Sequence, residues 1–390
     1  MKAAHLPTQR PRDARLLAVD AGGCMHDLPR QRIVDWLRPG DLLVANDAAT
    51  MPTSLHGVHV CSDKPVELRL AARDSLAPEA IRQFTAVLFG AGDWRTRTED
   101  RPEPPTVQPG DLLALGPLQA RVLETLGSPR LLRIDFAGTP DAIWAGLARH
   151  GRPVQYAHLA QPLALWDVWT RVAAQPVAFE PPSAGFLLDW DLLDALRARG
   201  VGFATLTHAA GLSSTGDAAL DARLPLPEPY HLPARTVAAI AQARSRGSRA
   251  VAVGTTVTRA LEDSAARHGT PRAGMALAEL RLGRHTPLRV VDVLLSGTHE
   301  PGTSHYELLH AFAPKPSLQR MSRALEAWGY RTHEYGDSVW LERARTTGSA
   351  QSPPDRPKGT EPPWGATPQV SGGHVQCRPA AAGTLLTASP

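Results

Sequence analysis

Residues 250–262 read Ala-Val-Ala-Val-Gly-Thr-Thr-Val-Thr-Arg-Ala-Leu-Glu, and this segment most constrains what the chain can fold into. Four apolar residues in a row, with no polar alternation, describe a strand covered on both faces, as in the interior of an α/β sheet. Gly254 allows a tight turn, either Thr255 or Thr256 can cap a helix start, and a helix is expected over Val257–His268. The unpaired backbone N–H groups at such a helix start favour a carboxylate or phosphate, and Arg259, one turn further in, would add a charged fork. An ordinary capped strand-to-helix turn explains the same residues equally well.

The surroundings repeat this alternation. Asp189–Arg199 carries apolar residues at helical spacing and stops at Gly200, and Val201–Leu206 then reads as a strand. Ala234–Arg246 is a second helix, stopped by Gly247, and Arg289–Leu295 is a further strand. Helical patterns end near Phe312 and span Ser317–Trp328. Strand and helix in alternation predict an α/β main domain with a largely parallel sheet. Residues 56–155 differ. Short strand-like runs at Val66–Ala71, Thr85–Phe89, Asp111–Leu115, Ala120–Leu126 and Arg130–Phe136 are separated by Gly, Pro and Asp turns. They predict a small inserted β-barrel domain, with the main domain discontinuous over 1–55 and 156–344. From residue 345 to 390 the chain is rich in Pro, Gly, Ser and Thr, and is expected to be a disordered tail.

Composition narrows the function classes. The 390 residues contain no apolar run long enough to span a bilayer and no signal-peptide core near the start, so a cytoplasmic protein with no membrane partner is expected. The three cysteines, Cys24, Cys61 and Cys377, form neither a disulfide framework nor a zinc-binding spacing. Residues 296–310 hold His299, Glu300, His305 and His310, yet Pro301-Gly302 interrupts the helix that would align two metal ligands, so no metal is expected. Net charge is only +4, but nearly all of the 42 basic residues are Arg, which permits an acidic partner such as RNA.

Several landmarks, in order, resemble one family. Ala250–Glu262 resembles the AVGTTxxRxLE motif of the S-adenosylmethionine:tRNA ribosyltransferase-isomerases of queuosine biosynthesis. Arg12–Leu17 resembles that family's RDASRLL, and Arg38–Asp47 with Pro52 and Leu55 resembles RPGDLLVxNDTRVxPARL. Pro182–Gly185 resembles PTAG, and Glu228 with Tyr230 resembles the close of MHSExY. Val290–Asp292, His299, Pro301 and Ala311-Phe312 follow VVDxLLTNFHLPxSTLLMLVSAF, and Tyr330-Arg331 with Tyr335–Asp337 follows YRFxSYGD. The resemblance covers about residues 10–343.

It implies an α/β main domain with an inserted β-barrel, and a defined chemistry. The ribosyl part of S-adenosylmethionine, a co-substrate, is transferred to preQ1-modified tRNA and isomerised to epoxyqueuosine, while adenine and methionine leave. Such a reaction needs a base next to the sulfonium, a donor to release adenine, and a pocket closed to water. Asp13, Asn46, Asp47, Glu228, Gly254, Thr255, Thr256 and Arg259 become expected substrate-binding residues. His299 and Asp337 become expected catalytic ones, with His299 placed for proton transfer. A monomer is favoured.

The departures from the family lie in the polar loops. Ala49 and Ser54 stand for the two arginines of NDTRVxPARL, and Leu187 stands for the His of PTAGLHF. In Leu206–Ser213 the motif His becomes Thr207, with a new His208 beside it. Ser296–Ser304 drops the Asn, Phe and Lys of TNFHLPKST. They leave two alternatives: a paralogue on this fold with an altered small-molecule substrate, and a non-catalytic binder of S-adenosylmethionine or a nucleotide.

Overall fold

In the computed structural model, which describes residues 1–344, a nine-stranded sheet organises the α/β part; the tail expected to be disordered lies outside the described residues. The strands run, edge to edge, Gly274–Ala278, Glu228–Leu232, Gly202–His208, Leu42–Asn46, Ala250–Val253, Val293–Gly297, Ser338–Glu342, Arg15–Val19 and Met25–Pro29. The four central strands pair in parallel, with Ala252 beside Val44 on one side and Leu294 on the other. Parallel pairing therefore forms the centre, and antiparallel pairings enter on both flanks.

Period-two packing explains why AVAV is apolar throughout. Val251 and Val253 face one core with Leu43, Leu295, Leu196 and Trp340. Ala252 faces the other with Val44, Leu294, Ile240, Leu261 and Leu318. Helix Trp190–Ala198 covers the first face; helices Ala234–Ser245, Thr255–His268 and Lys315–Ala327 cover the second. Both faces are closed, so a polar residue in this strand would be buried without water.

One strand differs from the sequence expectation. Pairing begins at Val293 rather than Arg289. The reason is Glu262, whose carboxylate accepts the backbone N–H groups of Arg289 at 2.7 Å, Val290 at 2.9 Å and Val291 at 2.8 Å. Those donors are occupied and cannot join a ladder.

The second unit is a closed six-stranded barrel. Its strands are Leu118–Thr125, Leu131–Phe136, Gln83–Phe89, Lys64–Ala72, Ser54–His59 and Leu112–Leu115. Leu55, Leu68, Phe84, Leu113, Val122, Ile134 and Phe136 fill the interior. Glu67, 2 % exposed, is held by Arg69 at 2.6 Å, by Arg101 and by the Ser54 hydroxyl at 2.8 Å. Burial opposes ionisation, but the two guanidinium groups outweigh it and pull the Glu67 carboxyl down to about 2.

The chain leaves the sheet after Asn46 and runs along Ala48–Thr50 toward the barrel; Gln175–Ala178, later in the chain, runs beside it in the same direction. The two segments pair in parallel, Gln175 beside Ala48 and Ala178 beside Thr50.

Candidate functional site

The polarity of the sheet gathers the expected site residues along one edge. Asn46, His208, Val253 and Gly297 are the last residues of the four central parallel strands. The antiparallel strands begin at the same end, at Glu228 and Ser338, and Arg15 opens the strand paired with the latter. Asp13, Asn46, Asp47, Glu228, Gly254, Thr255, Thr256, His299 and Asp337 thus lie at or just beyond this edge, with Arg259 one turn into its helix. The crevice outside the carboxyl ends of parallel strands is where α/β sheets bind ligands.

At the centre, helix Thr255–His268 starts from Gly254, at φ +98°. That left-handed backbone disfavours any residue with a Cβ, which would also stand 3.3 Å from the Ala184 Cβ. No side chain caps this helix start, so its first N–H groups keep their capacity for an anion.

Asn46 connects this helix to the neighbouring strand. Its Oδ1 accepts the N–H of His208 at 3.0 Å and of Ala48 at 3.0 Å. Its Nδ2 donates to the His208 carbonyl at 2.9 Å and to Thr256 Oγ1 at 3.4 Å. Asp47 accepts the Thr207 hydroxyl at 2.6 Å. Thr207, which stands for a family histidine, therefore serves as an anchor for the adjacent aspartate.

Arg259 has a task other than the expected ligand fork. Its guanidinium donates to Glu228, to the carbonyls of Leu280 at 3.0 Å, Leu226 at 3.0 Å and Ala278 at 2.8 Å, and is 4 % exposed. It fastens the helix to the strands Glu228–Leu232 and Gly274–Ala278. Glu228 also accepts the Gly211 N–H at 2.6 Å, and His208 Nε2 lies 3.3 Å from the same carboxylate. Burial raises the Glu228 pKa against the pull of Arg259. Burial, then Arg259, lowers His208 to about 3, so it is neutral at physiological pH.

Along the edge, Gly254 donates its N–H to the Leu295 carbonyl at 2.8 Å, which sets Ser296 beside the helix start. Ser296 Oγ lies 2.7 Å from His299 Nε2, and the His299 ring stacks on His305 at 5.1 Å. Burial and the neighbouring His305 lower His299 to about 3. Further along, Asp337 accepts the backbone N–H of Arg15 at 2.9 Å and of Arg331 at 2.8 Å. Asp13 is an exposed partner of Arg331 at 3.1 Å. Asn46, Asp47, Thr256, Glu228 and Arg259 thus form one network with Thr207 and His208. His299 adjoins it, while Asp337 and Asp13 stand apart as ties for Arg15 and Arg331.

The sequence reading missed Tyr156, Glu180 and Glu334. Glu180 accepts the Ser213 N–H at 3.1 Å, and burial pushes its carboxyl up to about 7, with Glu228 adding to the rise. Burial and Glu180 push Glu334 up to about 7 as well. Burial and these two acids push the Tyr156 hydroxyl well up. Glu180 stands two residues before the Pro182–Gly185 landmark, but no periodicity separates a buried loop carboxylate from an exposed one.

Comparison with known proteins places the chain in a family. The family model described as queuosine biosynthesis protein matches residues 1–341. An S-adenosylmethionine:tRNA ribosyltransferase-isomerase of Pelobacter propionicus is 31% identical over 350 residues, covering 87% of this chain and 96% of its own. The protein of the same name from Gluconacetobacter diazotrophicus is 34% identical over 355 residues, 87% of this chain and 93% of its own. A crystal structure of S-adenosylmethionine tRNA ribosyltransferase from Thermotoga maritima aligns at 22% identity and a TM-score of 0.45, over 87% of this chain and 95% of that one. With its landmarks on one sheet edge and the family match running nearly from its first residue to the end of its described part, the chain belongs to the queuosine biosynthesis protein family.

Proposed function

We propose that this protein is an S-adenosylmethionine:tRNA ribosyltransferase-isomerase, which transfers the ribosyl part of S-adenosylmethionine to preQ1-modified tRNA and rearranges it to epoxyqueuosine. The observation that carries this reading is the extent of the match: relatives with that name align over more than nine-tenths of their own length. They share one activity in their names, so a small-molecule paralogue or a non-catalytic binder is not favoured.

The site supports the chemistry step by step. The uncapped helix start at Thr255 and Thr256 offers backbone N–H groups to the carboxylate of the methionine portion or to a phosphate. His299 is uncharged at neutral pH, so it puts no positive charge against a sulfonium. The burial that keeps it neutral also makes it a weak base, and its place beside Ser296, not its basicity, is what assigns it to the carbon that loses a proton. Glu180, near half-protonated at neutral pH, has a proton to give as adenine departs. Asn46 and Thr256 hold the strand ends and helix start in register around these groups. In this reading Asp337 positions Arg15 and Arg331 and does not touch the reacting atoms. We read the protein as a cytoplasmic monomer; no helix of the described residues is long and apolar enough to cross a membrane.

The test is incubation of the purified protein with S-adenosylmethionine, with and without preQ1-containing tRNA, tracking free adenine and the mass of the modified nucleoside. Adenine released only with that tRNA, together with the epoxyqueuosine mass, is the expected result. Adenine released without tRNA would assign a different acceptor, and no release under either condition would leave only a binder.

A further inference from the structure

Three neighbouring side chains outside the Asn46–Arg259 network are among those that keep a buried polar atom unpaired. His158 Nε2, Glu334 Oε2 and the Tyr156 hydroxyl are buried atoms without a hydrogen-bond partner. Such atoms are rare in folded proteins because each forfeits its hydration without compensation. Here they occur together. Tyr156 and His158 have ring centroids 5.7 Å apart, and His158 stacks on His333 at 4.5 Å with 23° between the planes.

One ring nitrogen of His158, one of His333 and a carboxylate oxygen of Glu334 lie within 4.8 Å of one another. The turn that presents two of these groups is constrained. His333 sits at φ +69°, a left-handed conformation uncommon for a residue with a Cβ. Gly336 donates its N–H to the His333 carbonyl at 2.9 Å, and a Cβ at Gly336 would fall 2.5 Å from the Arg331 carbonyl oxygen. Asp337 locks the base of the turn through Arg331. The backbone thus holds a strained residue where its ring meets a second imidazole and a carboxylate, and strain of this kind collects at functional sites.

We propose that His158, His333 and Glu334 form a binding site for a divalent transition-metal cation of the zinc type, with at least one coordination position left open. Two imidazoles and one carboxylate are a donor set that zinc and its first-row neighbours accept, whereas calcium and magnesium prefer oxygen alone. The electron pairs of His158 Nε2 and Glu334 Oε2, unused within the protein, are the ones such an ion would take. Bonds of roughly 2.0–2.2 Å bring the donors closer than they now stand, a movement within reach of side-chain rotation. This departs from the expectation of no metal, because His158 is remote in sequence from the adjacent His333 and Glu334 and the three match no ligand spacing. It does not depend on the enzymatic reading of the neighbouring edge.

A second group, His59, Cys61 and Asp111, has similar proximity. Its imidazole is already engaged on both sides, with Ser62 at 2.9 Å and Asp111 at 3.2 Å, so it serves as the control.

The experiment uses the full chain, stripped with a chelator and titrated with Co(II) and with Zn(II). The expected result is one equivalent bound, with a visible Co(II) absorption band and a nitrogen–oxygen ligand set. His158→Ala, Glu334→Gln and His333→Asn, the last chosen because Asn tolerates the left-handed backbone, should each weaken binding by more than about tenfold. Circular dichroism and thermal melting of each metal-free variant establish that it is folded, and His59→Ala should bind as the parent does. Absence of a stoichiometric Co(II) band in the parent, or loss of binding in His59→Ala with retention in the other three, overturns the proposal.

Discussion

The carboxamide of Asn46 and the backbone of His208 bond to each other twice, N–H to Oδ1 at 3.0 Å and Nδ2 to carbonyl at 2.9 Å. A side chain at the end of one strand thereby extends the ladder to its neighbour by a further step. Asn46→Ala leaves the buried His208 N–H and carbonyl without these partners, and should cost about 2–4 kcal/mol. Urea unfolding measures this. A loss below about 0.5 kcal/mol, within the usual spread for an unimportant surface substitution, would mean that the two hydrogen bonds contribute little.

Glu262 takes three consecutive backbone N–H groups, and only a carboxylate supplies acceptors alone. In Glu262→Gln an amide N–H₂ would confront at least one N–H donor. We expect a loss of about 2–3 kcal/mol from hydrogen bonding to a charged group, with raised amide exchange confined first to residues 289–291. Uniform exchange across the sheet would contradict that local role.

Arg259→Lys should act on the fold before it acts on a ligand. Lysine cannot reproduce the fork that reaches Glu228 and three carbonyls, and the buried carboxylate loses its closest partner. A destabilisation of about 3 kcal/mol or more is expected, in the range for breaking a buried pair. S-adenosylmethionine affinity, measured where the variant is still folded, should change by less than about threefold. A large affinity loss at unchanged stability would restore Arg259 as a ligand contact.

Glu67 gives the barrel an acid limit. Its folded pKa, about 2, lies below the ordinary 4.5, so the unfolded chain binds the proton more readily. The stabilisation is complete above about pH 4.5 and disappears as pH falls through about 2, a total of about 3 kcal/mol. Urea unfolding between about pH 7 and about pH 2.5 should show that slope. Glu67→Gln should lose it, while already weakened by about 3–5 kcal/mol at neutral pH because two buried guanidinium groups lack their anion.

Glu180 sets an activity limb on the proposed reaction. A group with a pKa near 7 that must deliver a proton loses its active form as pH rises, so kcat should fall above about pH 7. Glu180→Gln should lower kcat by about 10²–10⁴-fold and remove that limb. An unchanged pH profile in the variant would exclude this role.

The legibility of the sequence tracked its physical regularity. Ala250–Val253 was readable to the residue because two closed faces demand unbroken apolarity and Gly254 demands a left-handed turn. The strand expected from Arg289 started late because one side chain, 27 positions earlier, had taken the N–H groups that define a strand. Arg259 looked like a ligand fork from its place in the helix. Its actual partners, Leu226, Leu280 and Ala278, lie on segments whose approach no local pattern records. Glu180, Tyr156 and Glu334 were invisible for a related reason: loop residues owe their burial to tertiary packing, and loops carry no period.

The paired segments Ala48–Thr50 and Gln175–Ala178 have a mechanical meaning. The first begins two residues after Asn46, and the Ala174 N–H is fastened to the Asp47 carbonyl at 2.7 Å where the second begins. The outgoing connection to the barrel is therefore one strand of a narrow ribbon rooted beside Asn46. A shift of the barrel would load this ribbon, whose root is Asn46 and Asp47. The placement of the barrel and the alignment of the groups at the sheet edge are thus mechanically joined at Asp47.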